Sequence, residues 1–276
     1  MSKVDERLHL AAAEARHAGR KLAGFFLTNG FPDPQSNRKI FDVIAESGAD
    51  FIEIGMPFSD PLAEGPTIQH SSAHALKHGV RMRDTFGTAE SIRSRHETPV
   101  YLMGYANPIH RYGIAAFFRD AASAGVDGVI LPDLPPGVSD GLEEIAADAG
   151  VGVVNLIAPN TSNERIEEID RATTSFVYAV SIAGLTGTEI SSEDVVSQYL
   201  KRARAHVSNP LLVGFGIQTR ASAEILSRHT DGFIVGSALI REIDAAWNDT
   251  ALSESKRLSR VAEFIRALAL PAETAA

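Results

Sequence analysis

The sequence predicts an α/β fold: a single (β/α)8 barrel of the TIM type with an additional N-terminal helix. Three observations carry that expectation. Short apolar runs of strand length recur eight times along the chain, each followed by residues at helical spacing. Glycine recurs where a helix hands over to the next strand, a position where its tolerance of left-handed backbone ends the helix. The first run is not followed by G-x-G-x-x-G, the signature that would favour the competing open doubly wound sheet.

The elements follow in order. The N-terminal stretch, residues 1–20, places Leu8, Ala11, Ala12 and Ala15 on one face and reads as a short amphipathic helix. The strand runs are Leu22–Leu27, Asp50–Gly55, Val100–Gly104, Gly128–Leu131, Val151–Ile157, Phe176–Val180, Leu211–Gly214 and Gly232–Val235. Between them, Leu142, Ile145, Ala146 and Ala149 share a helical face, as do Val196, Tyr199, Leu200, Ala203 and Val207. Leu258, Val261, Ile265 and Leu268 mark a terminal helix within residues 251–269. The segments SGADFIEIG, AGVDGVILPD and AGVGVVNLIAP repeat the glycine boundary, with TDGFIVG as a weaker fourth copy. No Ser/Pro-rich linker divides the chain, so residues 1–276 are expected to form one domain.

Composition narrows the function. An apolar fraction of 44% supports a large core, which excludes disorder as the main state. Acidic residues outnumber basic ones, 35 to 26, for a net charge of -9, which argues against nucleic acid or an anionic membrane as the main partner. There are no cysteines, so thiolate catalysis, disulfides and Cys-based zinc sites are excluded. No run approaches the roughly 20 apolar residues of a membrane span, and no signal-peptide core is visible, so a cytoplasmic protein is expected.

In a barrel, chemistry sits where strands end and βα loops begin. Glu53 alternates with Ile52 and Ile54, so its side chain points oppositely to theirs, into the barrel mouth. Burial there raises a carboxyl pKa toward values useful for proton transfer. The other reading of Glu53 is a structural glutamate bonded to Tyr or Ser hydroxyls. Glu64 lies in the long loop that follows, where a solvated surface charge is the alternative. Asp60, in Ser-Asp-Pro, also suits a turn. Gly184, Gly187, Gly214, Gly216, Gly236 and Ser237 sit at three adjacent strand ends, where convergent backbone N–H groups and a helix N-terminus can cradle a phosphate. His70, His74 and His78 fall at i, i+4 spacing, but no carboxylate joins them and H-E-x-x-H is absent. A solvated helix face is expected there, and no metal.

GMPFSDPLAEGPTIQ, followed in order by GYANP, LPDLP, GLTG, GFGI and GSA, resembles the tryptophan synthase α-subunit family from about Lys21 to the terminal helix. The resemblance implies a (β/α)8 barrel that cleaves indole-3-glycerol phosphate to indole and glyceraldehyde 3-phosphate in a retro-aldol step. It implies Glu53 as general acid/base and Glu64 as the carboxylate facing the indole nitrogen. Thr186 and Tyr178 would orient and close over these groups. Phe26, Phe215 and Ile130 would sandwich the indole, with Tyr105 also on the substrate side. Gly187, Gly216, Gly236 and Ser237 would hold the phosphate. Pro57, Asp60 and Asn107 would face a β subunit, in an α2β2 assembly. That partner would carry pyridoxal phosphate, and this chain would need no cofactor.

One departure bears on mechanism. Glu64 stands where the family usually has aspartate, and its extra methylene lengthens the reach by about 1.3 Å. A misplacement of about 1 Å can cost roughly 100-fold in rate. Ile182-Ala183 also replace more polar loop residues, and Pro135-Pro136-Gly137 stiffens the fourth loop. Two alternatives to the biosynthetic lyase follow: a weakly or non-catalytic activating partner of a β subunit, and a stand-alone indole-3-glycerol phosphate lyase.

Overall fold

All eight expected strands form, and they close on one another. The computed structural model describes residues 6–62, 64–138, 141–181, 193–214 and 216–269. Its strands are β1 (Leu22–Thr28), β2 (Phe51–Gly55), β3 (Val100–Met103), β4 (Gly128–Ile130), β5 (Gly152–Ile157), β6 (Val177–Val180), β7 (Leu211–Gly214) and β8 (Gly232–Val235). They pair in sequence order, all parallel, and β1 closes the barrel against β8.

Helix α1 (Glu6–His17) precedes β1, and α2 (Pro34–Glu46) follows it. Two helices, α3 (Pro66–Lys77) and α4 (Met82–Arg93), fill the connection from β2 to β3. Two more, α5 (Ala106–Tyr112) and α6 (Ile114–Ser123), follow β3, divided at Gly113, whose φ of 96° no other residue type adopts readily. Then come α7 (Leu142–Ala149), α8 (Asn163–Ala172), α9 (Glu193–His206) and α10 (Arg220–Leu226), one after each of β4 to β7. The chain ends in α11 (Ser237–Asn248) and α12 (Glu254–Ala269). Val261, Ile265 and Leu268 of α12 are buried, as the spacing predicts. Among the described residues no helix is long and apolar enough to cross a membrane.

The repeated boundary segments do more than end helices. Asp50, Asp127, Thr174 and Asp231 each lie just before an even-numbered strand. Each donates its backbone N–H to a carbonyl of the preceding strand: Ala23, Val100, Val153 and Leu211 respectively. Each side chain accepts the N–H of that same residue, at 2.8 Å in all four cases. This two-point clasp fixes the register of strand pairs β1–β2, β3–β4, β5–β6 and β7–β8 at the bottom of the barrel. The three aspartates each also hold an arginine, Arg20, Arg7 and Arg204, at 2.6 Å. In TDGFIVG the shared feature is therefore Asp231. Gly232 there ends no helix; it leaves room for Leu22, whose Cβ would lie 2.4 Å from an added methyl.

Removing one clasp leaves a buried N–H without an acceptor and an arginine without its partner. Asp127→Ala is expected to lower unfolding stability by about 2–3 kcal/mol. Urea denaturation of the two proteins would measure it, and an unchanged midpoint would contradict the role of the clasp.

The barrel floor is aromatic. Phe51, Tyr101 and Phe176, from β2, β3 and the residue before β6, meet with ring centroids 5.3–5.8 Å apart. The Tyr101 hydroxyl is satisfied by Ser175 at 2.7 Å. This plug closes the interior from below, so a polar side chain one layer higher stands on an apolar, water-free base.

Candidate active site

Glu53 is that side chain. It sits between Phe26 of β1 and Tyr101 of β3 in the strand register. The flanking Ile52 and Ile54 pack outward into the core, which turns Glu53 inward. It has no exposed surface, and neither carboxyl oxygen finds a hydrogen-bond partner among the described residues. The structural alternative, a glutamate bonded to Tyr or Ser hydroxyls, is therefore not what is observed.

Above it lies a cavity of about 260 Å³ at the C-terminal mouth of the barrel. Glu53, Glu64, Phe26, Met103 and Tyr178 line it from β1, β2, β3 and β6. Gly216, Gly236 and Ser237 line it from the connections after β7 and β8. The N-termini of α3 and α11 also open onto it, through Pro66 and Thr67 and through Ser237 and Ala238. Their first-turn N–H groups have no partner within the helix.

Glu64 is 9% exposed, so the loop turns it inward rather than into solvent. The Pro61 carbonyl accepts its backbone N–H at 3.0 Å, and its carbonyl accepts Gln69 Nε2 at 2.9 Å. The side chain borders both the main cavity and a 20 Å³ annex walled by Met103, Tyr105 and Pro61. Burial pushes its carboxyl up to about 7. Burial raises Glu53 further, well above the ordinary carboxyl range, and a charge on Glu64 adds to that rise. Glu64 thus ionises first, and its charge helps keep the proton on Glu53. The Tyr178 phenol is held well above its usual value by burial, then by both carboxylates.

Two close approaches shape the walls. The Phe26 ring occupies the space a Cβ at Gly55 would fill, 2.5 Å away. The Tyr178 hydroxyl lies 2.0 Å from where a Cβ at Gly214 would stand. Only glycine at these positions lets each ring reach the cavity.

Of the residues expected on the substrate side, Phe26, Glu53, Glu64, Tyr178, Gly216, Gly236 and Ser237 come together around the cavity. Tyr105 lies in the annex instead, its ring 5.1 Å from Phe58. Ile130 is fully buried and does not border the cavity, whereas Met103, its partner in the strand register, does. Thr186, Gly187 and Phe215, with Gly184, Ile182 and Ala183, lie outside the described residues. Among the residues expected at a partner surface, Asp60 and Asn107 are exposed and Pro57 is buried. Sequence reasoning missed Met103, Thr67, Ile68 and Arg241 in the lining. A Met at a strand end was a usable signal for the first, and the i, i+4 spacing from Ser237 for the last. The three histidines of α3 form a ladder against Phe31, with His74 5.6 Å from that ring and 4.7 Å from His78.

Comparison with known proteins agrees with this geometry. The family model described as tryptophan synthase alpha chain matches residues 12–269. The tryptophan synthase alpha chain of Deinococcus radiodurans is 41% identical over 251 residues, covering 90% of this chain and 92% of that one. Its counterpart from Thioalkalivibrio sulfidiphilus is 42% identical over 244 residues, covering 88% and 90%. Among solved structures, tryptophan synthase subunit alpha from Legionella pneumophila superposes with a TM-score of 0.85 at 35% identity, covering 97% and 98% of the two chains. An aminoacrylate-bound form of tryptophan synthase from M. tuberculosis gives 0.82 at 31% identity, covering 95% and 99%. Matches of this extent and identity show that the chain belongs to the tryptophan synthase alpha chain family.

Proposed function

We propose that this chain is a carbon–carbon lyase that cleaves indole-3-glycerol phosphate to indole and glyceraldehyde 3-phosphate. The observation that carries the reading is the pair of buried carboxyls, Glu53 and Glu64, lining one cavity, with no hydrogen-bonded partner on Glu53 among the described residues. Cleavage needs a proton delivered to indole C3, a proton taken from the C3′ hydroxyl, and an anion to receive the indole N–H as charge develops on the ring. Glu53, whose proton is held tightly, supplies the first. The carboxylate left behind takes the hydroxyl proton as the C3–C3′ bond breaks, so the protons balance and Glu53 ends as it began. Glu64, which ionises first, serves the indole nitrogen. Phe26 and Met103 supply apolar walls for the ring, and Gly216, Gly236 and the α11 N-terminus supply N–H donors for the phosphate.

The chain works as a single domain in the cytoplasm and hands its indole to a β subunit that carries pyridoxal phosphate, in an α2β2 assembly. Asp60 and Asn107, both exposed, are free to meet that partner. No cofactor is needed on this side of the assembly, since each proton step has a carboxyl to perform it. The test is a steady-state assay of indole release with and without a β subunit. The biosynthetic lyase cleaves in both cases and faster in the complex. β-subunit activation with negligible cleavage would instead identify a non-catalytic partner, and full speed alone a stand-alone lyase.

A further inference from the structure

Three charged residues line the cavity among those described: Glu53, Glu64 and Arg241. Ionised Glu64 repels a phosphate dianion, protonated Glu53 does nothing to attract it, and the chain as a whole, at -9, offers it no attraction. Arg241 follows Ser237 by four residues, so it lies on the same face of α11, one turn beyond the glycine and serine that open the helix. Its acidic neighbour, Glu242, is engaged by Arg260 at 2.6 Å. Arg241 itself makes no hydrogen bond or ion pair among the described residues. A cation without a protein partner among the described residues therefore stands beside the N–H groups of α11, in a cavity that also holds a buried carboxyl unpartnered among those residues.

We propose that Arg241 determines specificity for the phosphate group of the substrate. This rests on the reading of the cavity as an indole-3-glycerol phosphate site and extends it from the backbone to a side chain. Backbone N–H donors also bond a neutral hydroxyl, though more weakly than an oxyanion. A guanidinium discriminates by charge and by its two-pronged fit to phosphate oxygens. Arg241 thus offsets the repulsion from ionised Glu64, and sets the molecule's direction in the cavity: phosphate toward β8, indole toward β2.

The test compares wild type, Arg241→Gln and Arg241→Lys on indole-3-glycerol phosphate and on the same molecule without its phosphate. Glycerol 3-phosphate serves as a binding probe by calorimetry. Because the side chain is exposed, Arg241→Gln should raise KM for the phosphorylated substrate by about 5- to 20-fold, with kcat kept within about twofold. It should weaken glycerol 3-phosphate binding by a similar factor. Both differences should shrink in about 0.5 M salt, and Arg241→Lys should recover most of the loss. KM for the dephosphorylated molecule should not move. An unchanged KM for the phosphorylated substrate, or an equal rise for both molecules, would overturn the assignment. If wild type cleaves neither substrate, the lyase reading fails; Arg241 then stands or falls on whether glycerol 3-phosphate binding depends on it.

Discussion

Glu53→Gln is expected to lower cleavage of indole-3-glycerol phosphate by about 10³-fold or more in kcat while leaving the protein at least as stable as its parent. The two effects have one cause. The carboxyl is fully buried and its oxygens find no hydrogen-bond partner among the described residues. Such a group costs stability whenever it must carry charge, which is why burial raises its pKa. Glutamine keeps the volume and removes the charge, so the fold loses nothing. It cannot deliver a proton to indole C3 or accept one from the C3′ hydroxyl, so the chemistry stops. Steady-state turnover and urea denaturation on one preparation read both outcomes. A rate within a few-fold of wild type would remove Glu53 from the mechanism.

The second large effect belongs to Glu64 and is set by pH. Its carboxyl has an ordinary value of 4.5 and is raised to about 7 in the folded protein. Between those values the folded state holds a proton that the unfolded chain has released. Stability therefore falls as pH rises through that window, by about 3 kcal/mol in all, and the loss is complete above pH 7. Glu64→Gln should remove this part of the slope and be the more stable protein at pH 8. Its activity moves the other way. The anion is the form that receives the indole N–H, so kcat/KM of the wild type should rise with pH through about 7. Glu64→Gln should lose about 10²- to 10³-fold, the usual effect of removing one charge-stabilising group. Denaturation at pH 5 and pH 8, with a pH–rate profile, checks both signs.

The barrel was legible because its strands are buried on both sides. Most become short apolar runs, and the expected and observed strands agree to within a residue at every end. Glu53 stood out as a carboxylate alternating with isoleucines inside such a run. Glu64 did not. In isolation its loop reads as solvated surface, and only the surrounding PFSDPLAEGP motif marked it, because the bonds that hold its turn, to the Pro61 carbonyl and from Gln69, follow no strand or helix period. Ile130 came from the resemblance alone; in the structure it lies in the core, and Met103, opposite it in the strand register, borders the cavity. The aromatic floor and the clasps join residues 20 or more positions apart, so periodicity could not reveal them. In hindsight, an Asp immediately before three of the four even-numbered strands was a visible trace of the clasps.

The most direct measurement of the account is a carbon-13 NMR titration of the glutamate side-chain carboxyls, with Glu53→Gln and Glu64→Gln as assignment controls. The account predicts a resonance from Glu64 that titrates near pH 7 and one from Glu53 that titrates higher still, with the Glu53 midpoint falling in Glu64→Gln because the neighbouring charge is gone. Two carboxyls titrating near 4.5, like exposed glutamates, would contradict the claim that this cavity holds protons at neutral pH.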